Sequence, residues 1–248
     1  MNCSVLINSQ NYFLPYLTWL LNNRKNLGFS IVGLLAKDPN KIKSNIPAAK
    51  SINFFSSADE AISASDLTVS LGYWKVLSQK QISNSPVGIL NFHHSYKLKY
   101  KGRHCATWAI RNNETVHGST MHFIDEKLDS GHIVDTDFFK IKKFDTAQTV
   151  FEKANEVGLK LLTKNFKKII NKESIKYKKH SEKCFSYKHS DLNHEISCRL
   201  LYDEDRLLTE IRALTFKGAP SPFIKINGRK IFLKMEGYDS GILKNDQQ

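Results

Sequence analysis

Two short polar stretches of this chain carry the residue types that catalysis needs. The first, N-F-H-H-S at residues 91–95, follows an apolar run that predicts a buried strand. Asn91 and His93 are two residues apart, so their side chains point the same way on an extended backbone. An amide and an imidazole in that arrangement are suited to polarising a carbonyl group. The second stretch, L-D-S-G at residues 128–131, supplies Asp129, a carboxylate able to orient or charge the imidazole.

Apolar runs that alternate with helical patterns predict an α/β fold with a mostly parallel, Rossmann-like sheet. These runs predict strands at residues 3–8, 29–35, 51–55, 67–71, 87–90, 116–124 and 132–141. Helical spacing predicts helices at residues 13–23, 58–62, 78–82, 104–112, 146–171 and 203–214. We further expect Asp38 to begin a basic loop, Asp145 to cap the long helix, and the alternating strand 116–124 to be half-buried.

The chain divides into an N-terminal catalytic α/β domain, residues 1–171, and a small C-terminal α+β extension, residues 172–248. Residues 172–198 are polar and basic, which indicates a linker or an irregular excursion. N-G at residues 227–228 predicts a β-hairpin over 223–235. The apolar side chains of that hairpin either form a homodimer through the C-terminal region or pack on the chain's own α/β domain.

The predicted sheet places a site at the carboxyl ends of its strands, where ligands bind in parallel sheets. Residues 73–77 and 91–95 both follow a predicted strand and therefore lie at that edge. The glycine fingerprint G-x-G-x-x-G is absent, so we expect no dinucleotide cofactor. The histidines at 93, 94, 104 and 122 lack H-E-x-x-H or clustered Cys/His spacing, so we expect no metal.

Longer motifs around these residues resemble one family, the folate-dependent formyltransferases. They are N-F-H-H-S-Y-K-L-K-Y-K-G-R-H from residue 91, W-A-I from 108 and H-G-S-T-M-H-F-I-D-E-K-L-D-S-G-H-I-V from 117. The family pattern is roughly N-x-H-x-S-L-L-P-x-x-R-G, then G-x-T-x-H, then D-x-G-x-I. The resemblance is tightest to sugar N-formyltransferases, in S-Y, K-G-R-H, H-F-I-D-E and the later I-R-A-L-T. It implies that Asn91, His93 and Asp129 catalyse formyl transfer from 10-formyltetrahydrofolate.

The resemblance also implies which residues bind the two substrates. It implies that two loops form the folate pocket, with the residues Trp74, Lys75, Leu77, Ile82, Asp125 and Leu128. Ordinary core packing remains a competing explanation for the apolar members of that set. It implies that the loop after His93 binds the amine substrate, through His94, Ser95, Tyr96 and Lys101. Lys97-Leu98 replaces the family's Leu-Pro, which removes a rigid turn residue from this loop.

The charge and the cysteine content of the chain limit the classes of binding partner and the cellular compartment that we expect. The 248-residue chain has a net charge of +13, which favours anionic partners such as a pyrophosphate or a folate glutamate tail, or reflects a lysine-rich solvated surface. Four cysteines without a C-x-x-C pair fit a reducing cytoplasm. The first apolar run, residues 12–21, is interrupted by Pro15, so we expect neither a signal peptide nor a membrane span.

The resemblance predicts a cytoplasmic enzyme that formylates the amine of a nucleotide-linked amino sugar. The expected substrate is a dTDP-4-amino-4,6-dideoxyhexose destined for a surface polysaccharide such as O-antigen. One alternative is an enzyme like methionyl-tRNA formyltransferase. Fewer than 80 residues follow the long helix, whereas that enzyme carries a larger C-terminal tRNA-binding barrel, so we expect no nucleic-acid partner. Another alternative is a non-catalytic basic module that binds nucleotide or RNA.

Overall fold

The computed structural model describes residues 1–236 of the chain. Its strands are β1 (Asn2–Ile7), β2 (Ser30–Ala36), β3 (Leu67–Leu71), β4 (Gly88–His93), β5 (Tyr100–Gly102), β6 (Val116–Phe123), β7 (Ile133–Lys140), β8 (Phe185–Tyr187), β9 (Phe223–Ile226) and β10 (Arg229–Phe232). Its α-helices are α1 (Leu14–Leu27), α2 (Pro39–Asn45), α3 (Ala58–Ser63), α4 (Gln79–Ser83), α5 (Cys105–Arg111), α6 (Ala147–Ile170) and α7 (Glu204–Leu214).

A six-stranded sheet forms the centre of the molecule, in the order β2-β1-β3-β4-β6-β7. The first four strands run parallel, whereas β6 and β7 are antiparallel to their neighbours. The prediction of an α/β fold with a mostly parallel sheet is therefore confirmed. The apolar strands β1 and β3 lie inside this sheet because helices cover both of its faces.

Helices α1 and α6 cover one face of the sheet and enclose the larger core. Tyr16, Leu17 and Phe166 are fully buried there, together with the inner residues of β1, β3 and β4. Helix α3 covers the other face, where Ala61 and Ile62 pack on Leu6 and Ile89. This second layer is thinner, and it leaves room at the carboxyl edge for the loops that follow β3 and β4.

Three predictions about local structure are wrong. Residues 51–55 form no strand, since only a single bridge joins Phe54 to Leu34. The loop predicted at Asp38 is helix α2, which Asp38 caps by accepting a hydrogen bond from Lys41 N at 3.0 Å. The cap of α6 is Thr146 rather than Asp145, whose carboxylate instead pairs with Lys153.

Strand β6 is also more buried than its alternating sequence predicts. It pairs with β4 and β7 at its edges and also packs against α6 and the turn at residues 96–98, and its six inner residues are buried. Most of its polar side chains are hydrogen-bonded inside the protein, although His117 Nε2 has no partner there. For example, the Thr120 hydroxyl donates to the Ser95 carbonyl at 2.6 Å. The alternating sequence correctly predicts a strand, but its prediction that the strand is half-buried is wrong.

Residues 172–198 do not form a free linker. Their strand β8 pairs in parallel with β5, the short strand that follows the loop after His93. The chain then continues into α7, which packs on α5 through an ion pair between Arg111 and Glu210 at 2.8 Å. The predicted hairpin is present as β9 and β10. None of the helices within residues 1–236 has the length and apolar character needed to cross a membrane.

Candidate active site

Asn91 and His93 lie near the carboxyl end of β4, as their sequence position predicts. Both side chains are half-buried, and the antiparallel register of β6 sets His122 opposite Asn91 and Thr120 opposite His93. Because strand residues two apart share a face, the amide and the imidazole emerge on the same side of the sheet. Asp129 approaches from the loop between β6 and β7. The structure thus brings the three predicted catalytic residues to one place.

The amide of Asn91 is oriented by His122. Asn91 Nδ2 donates to His122 Nε2 at 3.1 Å, and His122 Nδ1 donates to the Phe123 carbonyl at 3.0 Å. The carbonyl can only accept, so it fixes the tautomer of the ring and leaves Nε2 as an acceptor. Burial lowers the pKa of His122 to about 4, which keeps this ring neutral. One hydrogen of the Asn91 amide is therefore held, and the other is left to donate elsewhere.

His93 lies between a backbone carbonyl and the carboxylate of Asp129. Its Nε2 donates to the Tyr100 carbonyl at 2.7 Å and is 3.6 Å from Asp129 Oδ2. The thiol of Cys105 lies 3.5 Å from the same nitrogen. Since Nε2 must keep its proton to donate to a carbonyl, Nδ1 is the ring nitrogen that titrates.

The electrostatics of this position favour the charged form of His93. Burial is the largest influence and lowers the pKa, but the Asp129 carboxylate, Cys105 and the Tyr100 carbonyl together outweigh it. The result is a pKa raised from 6.5 to about 10. His93 is thus an imidazolium at neutral pH, placed beside an oriented amide donor.

The backbone fixes the position of Asp129. Its Oδ2 accepts a hydrogen bond from Gly102 N at 2.8 Å, and its own φ of +47° places it in the left-handed region of a tight turn. Gly131 closes that turn, where a Cβ would lie only 1.7 Å from the Phe123 carbonyl oxygen. The glycine is therefore required for the close approach that aims the carboxylate.

The two loops predicted to bind folate lie next to each other. Gln79 and Glu126 connect them through a side-chain hydrogen bond, and Ile124 N joins the start of the second loop to β4 by donating to the Ile89 carbonyl at 2.8 Å. The predicted residues Trp74, Leu77, Ile82 and Asp125 are half-buried, whereas Lys75 and Leu128 are exposed. Leu77 and Ile82 contact the second apolar cluster. They therefore belong to the packed wall of this edge, and their contact with folate stays a prediction.

The residues predicted to bind the amine substrate fall into two groups. His94 is only 9% exposed and lies between the rings of Phe13 and Phe151, and Ser95 is fully buried, with its Oγ accepting from Tyr100 N at 2.7 Å. These two belong to the interior and shape the loop, so this placement does not support their predicted contact with a substrate. Tyr96 and Lys101 are half-buried and remain available to a substrate.

A basic cavity of about 510 Å³ opens beside Tyr96. The side chains of four lysines line it, at Lys97, Lys99, Lys179 and Lys183. Lys99 is neutralised by Glu114 at 2.6 Å, and Glu182 adds a second carboxylate. Within residues 1–236, no group of three or more His, Cys, Asp or Glu side chains is arranged to hold a metal ion.

Sequence reasoning missed the groups that hold the His93–Asp129 pair from outside. These are the Tyr100 carbonyl, the Gly102 amide and the Cys105 thiol. Two of the three are backbone atoms, which leave no residue-type signal. The K-G pair at residues 101–102 belongs to the motif that resembles the family, but its residue types do not identify the Gly102 amide as a donor to a carboxylate.

Comparison with known proteins assigns the family. The sequence model described as formyl transferase matches residues 34–166, which is more than half of the chain. The chain belongs to the formyl transferase family. The matched range contains Asn91, His93 and Asp129, and it ends within α6.

The curated relatives are longer proteins that this family member matches in part. It is 32% identical to methionyl-tRNA formyltransferase from Clostridium tetani over 123 residues, which cover 49% of this chain and 39% of that protein. It is 29% identical to the enzyme of that name from Kosmotoga olearia, covering 70% of this chain and 48% of that protein. The chain thus spans less than half of the length of these two relatives.

Several solved structures share the fold over nearly the whole chain. A 4-N formyltransferase from Francisella tularensis has a TM-score of 0.76 at 18% identity, and the match covers 95% of this chain and 97% of that one. An N-formyltransferase from Helicobacter canadensis, in complex with folinic acid and dTDP-3-aminofucose, has a TM-score of 0.71 at 22% identity. That match covers 93% of this chain and 85% of the other.

Proposed function

We propose that this protein transfers the formyl group of 10-formyltetrahydrofolate to the amine of a nucleotide-linked amino sugar. The observation that carries the proposal is the pairing of an oriented amide, Asn91, with a buried imidazolium, His93, at the carboxyl edge of the sheet. Donors and positive charge of this kind stabilise the oxyanion of acyl transfer. Each donor contributes about 3 kcal/mol to such a transition state.

The reaction runs through a tetrahedral intermediate. The substrate amine attacks the formyl carbon, a C–N bond forms, and the carbonyl oxygen becomes an oxyanion beside Asn91 and His93. The amine then loses a proton, for which Asp129 is the carrier. The bond from the formyl carbon to N10 of the folate breaks as that nitrogen takes up the proton. The N-formylated amino sugar and tetrahydrofolate leave, and the side chains return to their initial charges.

The paired loops after β3 and β6 support a folate pocket next to this site. They supply an apolar wall, from Leu77, Ile82 and Ile124, of the kind that lines ligand pockets. Val76 is 84% exposed and Leu128 is 55% exposed, which leaves apolar surface at the pocket entrance. Folates are bound in sugar N-formyltransferases of the same fold, including one solved with dTDP and 5-N-formyl-THF.

Two features support a nucleotide sugar as the acceptor. The shared fold covers 95% of this chain and 97% of the Francisella tularensis 4-N formyltransferase, so it includes the C-terminal part of both chains. The lysine-lined cavity beside Tyr96 supplies the positive charge that a diphosphate needs. We assign the acceptor as a dTDP-4-amino-4,6-dideoxyhexose, used for a surface polysaccharide such as O-antigen. A reducing cytoplasm suits the enzyme, since Cys3, Cys105, Cys184 and Cys198 are all free.

A tRNA acceptor is the second candidate. The curated matches to methionyl-tRNA formyltransferases and the net charge of +13 favour it, because phosphate contacts dominate affinity for nucleic acids. The two acceptors differ in the surface that they need. A nucleotide sugar fits within one cavity, whereas a tRNA requires an extended basic face.

We also propose that the protein forms a homodimer through its hairpin. Ile226, Ile231 and Phe232 are 42–50% exposed on β9 and β10, whereas Ile224 on the same hairpin packs inward on Ile196. Exposed apolar side chains on a two-stranded ribbon are stabilised when a second chain covers them. Light scattering across a concentration series measures this directly, and a constant monomer mass at all concentrations would contradict it.

An acceptor panel tests the proposed function. The purified chain is mixed with 10-formyltetrahydrofolate and, separately, a dTDP-amino sugar, a UDP-amino sugar, methionylated initiator tRNA and a dTDP-sugar without an amine. We expect tetrahydrofolate release and a formylated product with the dTDP-amino sugar, and none with the amine-free control. Turnover only with tRNA would support the second candidate function, formyl transfer to a tRNA acceptor. No turnover with any acceptor would overturn the proposal.

A further inference from the structure

Strand β5 touches both members of the charged pair through its backbone. The Tyr100 carbonyl accepts the proton of His93 Nε2 at 2.7 Å, and the Gly102 amide donates to Asp129 Oδ2 at 2.8 Å. These two backbone groups lie two residues apart on one strand, so they move together. The His93–Asp129 separation of 3.6 Å is therefore set by where β5 lies.

Strand β5 cannot hold that position unaided. It has three residues and does not belong to the central sheet, and short strands are stable only when paired. The residues before it, Lys97 and Leu98, both have positive φ angles of 52° and 54°. A non-glycine residue in this region costs about 1–2 kcal/mol, so two in succession need support from their surroundings.

The support comes from β8, which lies outside the matched family region. Phe185 pairs with Tyr100 and Tyr187 with Gly102 in parallel register. Two further backbone bonds close the ends, from Phe185 N to the Lys99 carbonyl at 2.7 Å and from Arg103 N to the Tyr187 carbonyl at 3.1 Å. The two strands are so close that a Cβ on Gly102 would lie 2.3 Å from the Tyr187 carbonyl oxygen.

Aromatic stacking fastens β8 on β5 and on the neighbouring helix α5. The ring of Tyr187 lies 3.9 Å from that of Trp108 with an interplanar angle of 6°, and Phe185 lies 5.4 Å from Tyr100 at 17°. Trp108 belongs to α5, the helix whose first residue, Cys105, contacts His93. Tyr187 thus joins β5 to α5, the two elements that enclose His93. Offset and stacked aromatic pairs contribute beyond the area that they bury.

We propose that Phe185 to Tyr187 position the His93–Asp129 pair, with Tyr187 as the principal positioning residue. The proposal rests on the proposed function only for its effect on turnover. Tyr187 touches no reacting atom, and it acts by fixing the backbone of β5. Residues 185–187, within the polar and basic segment 172–198, therefore support the geometry of the active site from outside it. We call these three residues the brace. Its removal changes the geometry of the pair without removing any catalytic side chain.

A merely structural role for Tyr187 predicts a different outcome. If β8 only covers the surface, its loss lowers the free energy of unfolding but leaves the native site unchanged. A positioning role requires that His93 senses the change in the folded protein. The pKa of His93 supplies that readout, because it depends on the distance to Asp129 and on the bond to Tyr100.

The test compares Tyr187→Ala with two controls. Tyr187→Phe keeps the stacked ring, and Tyr177→Ala removes an aromatic ring from the same segment that packs on His132 instead. NMR follows the His93 ring through a pH titration, and steady-state kinetics gives kcat and the KM for folate. We expect Tyr187→Ala to lower the pKa of His93 by at least about one unit and kcat by about tenfold or more. We expect the folate KM and both controls to stay near wild type.

The outcomes separate this inference from the proposed function. A folded Tyr187→Ala variant with the wild-type pKa of His93 and the wild-type kcat would overturn the positioning role. If Tyr187→Ala does not fold, Tyr187→Leu, which keeps an apolar side chain but no ring, replaces it with the same expectations. A lowered His93 pKa in a protein that formylates no acceptor would support the brace and reject the formyltransferase activity.

Discussion

Asn91 and His122 form a cross-strand pair in which the amide donates to a ring that burial keeps neutral. Their Nδ2 and Nε2 atoms are 3.1 Å apart, and His122 is only 1% exposed. A charged histidine would carry protons on both nitrogens and could not accept this bond. The lowered pKa of His122 is thus what allows it to orient the Asn91 amide.

We expect His122→Ala to reduce kcat by about tenfold to a hundredfold, because Asn91 then loses its fixed orientation. The change also leaves a buried amide hydrogen without an acceptor, which costs about 1–3 kcal/mol of stability. His122→Gln offers a carbonyl oxygen in the same region and should recover part of kcat. Steady-state kinetics and denaturant unfolding measure both effects. Equal kcat for wild type and His122→Ala would contradict the role of this pair.

The pH dependence of stability follows from the raised pKa of His93. A group whose pKa is raised on folding stabilises the native state below its unfolded pKa and loses that effect as the pH rises through its folded pKa. For His93 this window runs from 6.5 to about 10. Asp129→Asn removes the carboxylate that opposes the effect of burial, so the pKa of His93 falls.

We therefore expect Asp129→Asn to cost about 1–3 kcal/mol of stability near pH 6, with the difference from wild type shrinking towards pH 10. Urea unfolding at several pH values gives the difference, and NMR titration gives the pKa of His93. Asp125→Asn is the matched control, since that carboxylate closes the same loop on Ser130 at 2.7 Å. A difference from wild type that stays constant over the whole window would rule out the charged pair.

The turn that aims Asp129 depends on Gly131. Gly131→Ala places a Cβ against the Phe123 carbonyl oxygen, so the turn must move and Asp129 with it. We expect loss of most of kcat together with a stability cost of more than about 2 kcal/mol. The control is Gly228→Ala at the hairpin tip, where φ is +79° and nothing lies within 4 Å of the added Cβ. That control should cost about 1–2 kcal/mol and leave kcat unchanged.

We expect the lysines of the basic cavity to affect substrate binding and not the chemical step. Lys179 and Lys183 line it from the segment that carries β8, far along the chain from His93. Replacing both with Ala should raise the KM for the nucleotide sugar by about tenfold, while kcat and the folate KM change little. The control pair Lys167→Ala and Lys168→Ala, at the end of α6, removes the same charge elsewhere. An equal rise in KM in both double variants would indicate a general effect of net charge.

The central sheet and the placement of the candidate catalytic residues were predictable because short-range signals specify them. Apolar runs identified β1 to β4, and the spacing of Asn91 and His93 placed both side chains on one face. The turn residues around Asp129 placed the carboxylate at the end of β6. In each case, the relevant contact is local or follows from strand geometry.

The remaining part of the site depends on contacts between distant backbone groups. Tyr100 and Gly102 act through a carbonyl and an amide, which every residue type supplies. Phe185 and Tyr187 stand among lysines, so their segment has the composition of a solvated linker. Tertiary packing also overrode the local patterns at residues 51–55 and at Asp145, where a bridge and an ion pair replaced the predicted strand and cap.

The most direct test of the account compares wild type with His93→Asn for release of tetrahydrofolate from 10-formyltetrahydrofolate in the presence of a dTDP-amino sugar. Asparagine keeps a polar side chain of similar reach but carries no positive charge. We expect turnover by the wild type and a loss of about a hundredfold or more in kcat for the variant, with its circular dichroism and folate binding retained. Wild-type kcat in a folded His93→Asn protein would contradict the claim that His93 drives the transfer.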